Sequence, residues 1–148
     1  MGFEYILVER SGEFATITMN RPQRRNALSL EHMRELIAAF ADVGNSDALG
    51  IVLAGKGPVF SAGHDFADVA EADLSGVRSL LMTCTELMTL MQQVPQPVVA
   101  RVHGLATAAG CQLVASADPY FWVTSDNTAV VFTSNDPAAP GLYTVALP

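Results

Sequence analysis

Apolar and polar residues along the chain alternate between short runs typical of β-strands and longer runs with helical spacing. Residues 4–10 and 14–20 are rich in β-branched and aromatic side chains, and the turn-forming residues 11–13 separate them, which predicts a β-hairpin. Residues 49–55 form an apolar run closed by glycines, the pattern of a strand buried on both faces. Residues 97–104 predict a further strand.

Three longer stretches predict amphipathic helices, because their apolar residues recur every three or four positions. The first covers residues 30–43, with Ser29 as its N-cap. The second covers residues 75–93, and its apolar stripe is most simply part of the core: Leu80, Leu81, Cys84, Leu87, Met88 and Met91. The third covers residues 108–118. Strands and helices in this order predict an α/β fold with a mostly parallel sheet and crossover helices.

The composition of the chain excludes several classes of function. A chain of 148 residues that is 50% hydrophobic and 16% charged fits one domain with a sizeable core, and its net charge of −7 argues against nucleic-acid binding. No apolar run approaches the length of a membrane span, and the N-terminal residues lack the basic region of a secretory signal. Cys84 and Cys111 lie in apolar segments, as buried free cysteines do. We therefore expect a cytoplasmic protein.

One basic cluster stands out on this acidic chain. The segment RPQRR places Arg21, Arg24 and Arg25 within five residues. Such a cluster can bind an anion through charge-assisted hydrogen bonds. It can also be an ordinary solvated loop.

Two glycine-containing segments could present main-chain donors. In VFSAGHDF, Gly63 permits a left-handed turn that would expose the N–H of His64. In HGLATAAG a helix is expected to start near Ala108, so the N–H of Ala109 or Gly110 would have no partner within the helix. If two such donors converged, they would form an oxyanion hole, in which each donor is worth roughly 3–4 kcal/mol. The alternative is two ordinary turns.

Three blocks carry a family resemblance. Residues 20–29, 57–66 and 103–118, in this order, resemble the enoyl-CoA hydratase/isomerase, or crotonase, family, and the last two blocks are similar to its enoyl-CoA hydratase domain-containing branch. The resemblance implies a crotonase-like ββα spiral that binds acyl-CoA thioesters in fatty acid metabolism and stabilises an enolate, as a lyase or isomerase. It implies no cofactor beyond the coenzyme A of the substrate, and no metal.

The resemblance also assigns site residues. The oxyanion donors would be the N–H groups of His64 and Ala109. Arg24 and Arg25 would lie near the CoA phosphates. The other residues expected along the CoA path are Ala62, Asp65, Phe66 and Ala67. A metal site at His64, Asp65 and Asp68 is the less favoured interpretation, because adjacent residues rarely point the same way.

The chain departs from the family pattern at the general acid/base. Gln112 occupies the position of a family glutamate, and an amide does not exchange a proton near neutral pH. A second family glutamate is expected near Phe132, where the nearest acids are Asp126 and Asp136. Hydration is therefore in doubt, while isomerisation and hydrolysis remain open. The alternative is a catalytically silent acyl-CoA binding or scaffold domain.

The resemblance divides the chain into a crotonase-like core, residues 1–118, and a divergent continuation of the same domain, residues 119–148, expected to form strands and loops. Family members continue through a C-terminal helical region, which closes the acyl pocket and builds trimers or hexamers. Without this region an apolar face would be exposed, so we expect a homo-oligomer.

Overall fold

The computed structural model describes residues 2–70 and 72–118, together with the backbone of three strands within residues 121–146. The elements up to residue 118 are β1 (Ile6–Ser11), β2 (Phe14–Met19), a 3-10 turn (Pro22–Arg24), α1 (Leu30–Gly44), β3 (Gly50–Gly55), β4 (Val59–Ser61), α2 (Phe66–Ala70), α3 (Leu74–Gln93), β5 (Val98–Ala100), β6 (Leu105–Ala106) and α4 (Ala109–Ser116).

The main sheet has four strands in the order β1-β2-β3-β5. β1 and β2 form the predicted hairpin, in which Ile6 pairs with Met19 and Ser11 with Phe14. β3 runs parallel to both β2 and β5, so the prediction of an α/β fold with a mostly parallel sheet is confirmed. Its buried apolar side chains agree with a strand covered on both faces.

The helices begin close to the predicted positions. Ser29 caps α1, and its side chain accepts a hydrogen bond from the N–H of His32. Asp73 caps α3 in the same way through the N–H of Gly76. The buried faces of α1, α3 and α4 pack with the main sheet into a single hydrophobic core.

Of the predicted strand 97–104, only Val98–Ala100 forms a strand, β5, and the next strand, β6, begins beyond that range at Leu105. β5 ends at Ala100, and the chain then turns through Gly104, whose φ is +64°. β6 pairs in parallel with β4, a strand that the apolar pattern did not predict. A side chain at Gly104 would place its Cβ 2.4 Å from the carbonyl oxygen of Pro58, so glycine is required for this close approach.

A third sheet follows the core. It contains β7 (Phe121–Val123), β8 (Ala129–Ser134) and β9 (Gly141–Ala146) in antiparallel order. These strands agree with the strands expected in residues 119–148. Asp126 and Asp136, the alternative acids, lie outside the described residues.

Candidate functional site

The site is built from two loops that run side by side. Main-chain hydrogen bonds join residues 20–29, which we call the arginine loop, to residues 61–67, the glycine loop. The N–H of Leu28 donates to the carbonyl of Gly63 at 2.7 Å, and the N–H of Asp65 donates to the carbonyl of Leu28 at 3.0 Å. The N–H of Ala62 donates to the carbonyl of Arg25 at 3.0 Å.

Two buried polar side chains fix this arrangement, and sequence reasoning did not single out their role. Asn26, in a left-handed conformation with φ +50°, donates from Nδ2 to the carbonyls of Lys56 and Val59, both at 2.9 Å. Ser61 donates from Oγ to the carbonyl of Asn26 at 2.9 Å. Asparagine in a turn is the only sequence signal that could have suggested the first of these contacts.

The start of α4 packs directly on the glycine loop. Gly63 has φ +88°, as the sequence predicts, and a Cβ there would lie 2.8 Å from Cβ of Ala108 and 3.3 Å from the nitrogen of Ala109. A Cβ on Gly110 would lie 2.6 Å from the carbonyl oxygen of Ser61. Both glycines therefore permit an approach between backbones that any side chain would obstruct.

The two predicted main-chain donors have no acceptor within the described residues. The N–H of Ala109, the first residue of α4, makes no hydrogen bond there, and neither does the N–H of His64. The next amide of α4 is used, since the N–H of Gly110 donates to the carbonyl of Thr107 at 2.8 Å. Two free donors thus lie on segments that meet at Gly63.

A pocket of about 370 Å³ lies between the two loops. The structure brings to it the residues expected along the CoA path: Arg24, Arg25, Ala62, His64, Asp65, Phe66 and Ala67. Ala109 and Gln112 are not part of its lining, although Ala109 is adjacent to Gly63. The Phe66 side chain is 82% exposed and is therefore accessible to a ligand.

The carboxylate of Asp65 forms ion pairs with two arginines of the arginine loop. Oδ1 lies 2.6 Å from Nη2 of Arg24, and Oδ2 lies 3.4 Å from Nη2 of Arg21. Burial raises the pKa of Asp65, but the hydrogen bonds from Arg24 and from the N–H of Ala67, with the charge of Arg24 and Arg21, outweigh it and hold this pKa below its ordinary value. Asp65 is therefore a carboxylate at neutral pH.

His64 is a neutral side chain at neutral pH. Burial lowers its pKa and outweighs a contact with the backbone of Leu28, which raises it. Its predicted contribution is the main-chain N–H, which does not depend on the imidazole.

Gln112 lies one turn into α4 and is exposed. Its Oε1 is 3.9 Å from Sγ of Cys84, a buried thiol on α3 whose pKa is raised by burial. The side chain is thus held toward α3 by a weak contact.

Residues 2–70 and 72–118 contain no cluster of three or more His, Cys, Asp or Glu side chains that could hold a metal ion. Among the same residues, no helix is long and apolar enough to span a bilayer. His103 is exposed, and its Nε2 lies 2.6 Å from the carbonyl oxygen of Gly57.

Comparison with known proteins identifies the family to which this α/β core belongs. Residues 9–143 match the family model described as enoyl-CoA hydratase/isomerase. The chain belongs to this family.

Individual relatives support the same family assignment. The chain is 47% identical over 116 residues to the mitochondrial enoyl-CoA hydratase domain-containing protein 3 of Danio rerio, covering 76% of this chain and 39% of that protein. It superposes on the human enoyl coenzyme A hydratase domain-containing protein 3 with a TM-score of 0.75 at 36% identity, covering 78% of this chain and 46% of that one. An enoyl-CoA hydratase of Mycobacterium smegmatis gives a TM-score of 0.75 at 42% identity, with the same coverage of 78% and 46%. The chain therefore spans less than half the length of these relatives.

The prediction of a cytoplasmic protein is wrong. Relatives that are 40–47% identical are named mitochondrial, in Danio rerio, mouse and human among others. The prediction depended on free cysteines and on the lack of a secretory signal or a membrane span, and none of these properties distinguishes the cytoplasm from a mitochondrion.

Proposed function

We propose that this chain binds an acyl-CoA thioester and stabilises the thioester enolate with the N–H groups of His64 and Ala109. One observation supports this most: both amides lack an acceptor in the described residues, and the segments that carry them meet at Gly63. A negative charge that develops on the thioester oxygen gains roughly 3–4 kcal/mol from each such donor.

The pocket between the two loops supplies the second half of the proposal. It would hold the CoA moiety, with Arg24 and Arg25 near the phosphates and the exposed ring of Phe66 beside the adenine or pantetheine part. Guanidinium groups suit phosphates because their planar donors match two oxygens at once.

Gln112 limits the reactions that the site can catalyse, because its side chain is neither an acid nor a base. A carboxylate at this position could activate water, but the amide of Gln112 can only donate or accept hydrogen bonds. Loss of a positioned acid or base costs about 10² to 10⁴ in rate. We therefore propose enolate chemistry such as isomerisation or hydrolysis, with hydration slow or absent.

The second candidate is an acyl-CoA binding domain without turnover, which the absence of a carboxylate at residue 112 favours. Incubation with crotonyl-CoA, which loses its conjugated absorbance on hydration or hydrolysis, and with 3-butenoyl-CoA, which gains that absorbance on isomerisation, separates the two when a CoA titration is run beside it. Turnover supports the enzyme, and binding without turnover supports the silent domain. If CoA does not bind, both candidates fail.

Gln112→Glu should raise the rate of crotonyl-CoA hydration by at least about tenfold, because it restores a group that can exchange a proton. Gln92→Glu is the matched control, since it makes the same change on the exposed surface of α3. An unchanged rate in Gln112→Glu, with CoA affinity retained, would show that the amides and this position do not act on one substrate.

A further inference from the structure

Arg24 and Asp65 form an ion pair at the wall of the pocket. Nη2 of Arg24 lies 2.6 Å from Oδ1 of Asp65. The Asp65 side chain is only 5% exposed, whereas that of Arg24 is 50% exposed. The cation is therefore accessible from solvent, while its carboxylate partner is enclosed.

Asp65 keeps other partners if Arg24 moves away. Its Oδ2 lies 3.4 Å from Nη2 of Arg21, and its Oδ1 also accepts from the N–H of Ala67 at 3.2 Å. Arg21 is held in place by a hydrogen bond to the carbonyl of Ala27 at 2.9 Å and lies over the ring of Tyr5. Movement of Arg24 would therefore leave Asp65 with the largely buried cation of Arg21 and a main-chain donor.

The surroundings of Arg24 suit a phosphate group. Arg25 lines the same pocket, is exposed, and forms no side-chain hydrogen bond or ion pair in the described part of the chain. Partly exposed ion pairs are weak, so a phosphate with two charged oxygens can compete with one carboxylate for Arg24.

We propose that Arg24 exchanges between Asp65 and a phosphate group of the CoA moiety, so that Asp65 competes with the ligand and sets its affinity. The inference rests on the proposed binding of acyl-CoA. It assigns Asp65 a role opposite to that of a binding residue, because its charge weakens ligand binding.

The test is a double-mutant cycle with CoA as the probe, measured by isothermal titration calorimetry. Asp65→Asn should bind CoA about two- to fivefold more tightly, since the competing charge is gone. Arg24→Gln should bind CoA more weakly, and Asp65→Asn should have no further effect in that background. Asp47→Asn is the matched control: it removes the same charge from the exposed Arg10–Asp47 pair, away from the pocket lining, and should leave the affinity unchanged.

The outcomes are distinguishable. If Arg24→Gln weakens CoA binding but Asp65→Asn leaves it unchanged or weaker, the exchange is wrong and the acyl-CoA proposal stands. If the unmodified protein does not bind CoA, both are wrong. Dephospho-CoA locates the phosphate: loss of the Asp65 effect assigns the ribose 3′-phosphate, and persistence assigns the diphosphate. An equal effect with pantetheine overturns the exchange.

A measurement on the unmodified protein covers the case in which Asp65→Asn does not fold. The pKa of Asp65, followed by ¹³C NMR of its carboxyl group, should rise when CoA is added, because Arg24 no longer holds it down while Arg21 and the N–H of Ala67 remain. In Arg24→Gln this pKa should start higher and change less. An unchanged pKa in the unmodified protein on saturation with CoA overturns the exchange.

Discussion

His32 lies fully buried on α1, beside the arginine loop. Nδ1 is 3.1 Å from the carbonyl oxygen of Ala27, which also accepts from Arg21 at 2.9 Å. Burial, with a smaller effect from the charge of Arg21, lowers the pKa of His32 to about 4, although the contact with Ala27 opposes the shift. Neutral imidazole is therefore the form that the folded protein accommodates.

The lowered pKa of His32 predicts that the folded protein loses stability in mild acid. The pKa of His32 is lower in the folded chain than its ordinary value of 6.5, so its contribution is complete above pH 6.5 and is lost as the pH falls from 6.5 through about 4. The full loss is roughly 3 kcal/mol. Urea unfolding at a series of pH values should show it.

His32→Gln is the control for that series, because glutamine does not titrate. The difference in unfolding free energy between the unmodified protein and this variant should shrink as the pH falls from 6.5 to 4. A constant difference across that range would contradict the prediction, since other acidic groups titrate in both proteins.

At the scale of the element, the N-terminus of α1 connects the fold to the site. Oγ of Ser29 accepts from the N–H of His32 and, at 3.0 Å, from Nη1 of Arg21. One buried hydroxyl thus caps the helix and positions the arginine that pairs with Asp65.

Ser29→Ala should therefore lower the free energy of unfolding by about 1–2 kcal/mol, the upper part of the range for a lost N-cap. Asp73→Ala removes the corresponding cap of α3, but Asp73 is exposed, so water replaces its hydrogen bond and the loss should be smaller. Urea unfolding of both variants at pH 7 tests this order. Equal losses would mean that the contact with Arg21 contributes nothing.

Local patterns predicted the elements that a continuous apolar face defines. The hairpin, α1 with its Ser29 cap, α3 and the start of α4 each follow from spacing within one segment. β4 has three residues, too few for a period to show, and its partner β6 is distant in sequence. Its formation depends on tertiary contacts.

The same distinction applies to the candidate site. The left-handed turn at Gly63 follows from the residue itself, and the free N–H of Ala109 follows from its place at the start of a helix. The ion pair between Arg24 and Asp65 joins side chains 41 residues apart, so no local spacing encodes it. The resemblance to the crotonase family predicted that both residues belong to one site, but only the structure showed that they form an ion pair.

At the scale of the whole molecule, one face of α3 lacks a cover among the described residues. Leu74 is 87% exposed, and Leu81 and Met82, one and two positions beyond the buried Leu80, are also exposed. Of the predicted stripe, Leu81 faces outward and Met88 is only partly buried against the core, whereas the other four residues are buried as predicted: Leu80, Cys84, Leu87 and Met91. Contiguous apolar surface of this kind favours association.

We expect the protein to associate with itself. Sedimentation analysis should give a mass above the 15.7 kDa of one chain, and replacing both Leu81 and Met82 by serine should shift it toward the monomer. Val8→Ser, on an exposed position of β1, serves as the control and should not change the mass. A monomer at all concentrations tested would contradict the expectation.

The contact between Ser61 and Gly110 has a consequence for how this molecule can diverge. The carbonyl of Ser61 accepts from the N–H of Thr107 at 3.1 Å. The same carbonyl lies so close to Gly110 that no side chain fits at position 110. Peptide groups, which every residue possesses, therefore set the spacing of the two segments. Substitution of neighbouring side chains can therefore change the chemistry of the site while the backbone arrangement is kept, provided that Gly63 and Gly110 remain glycine.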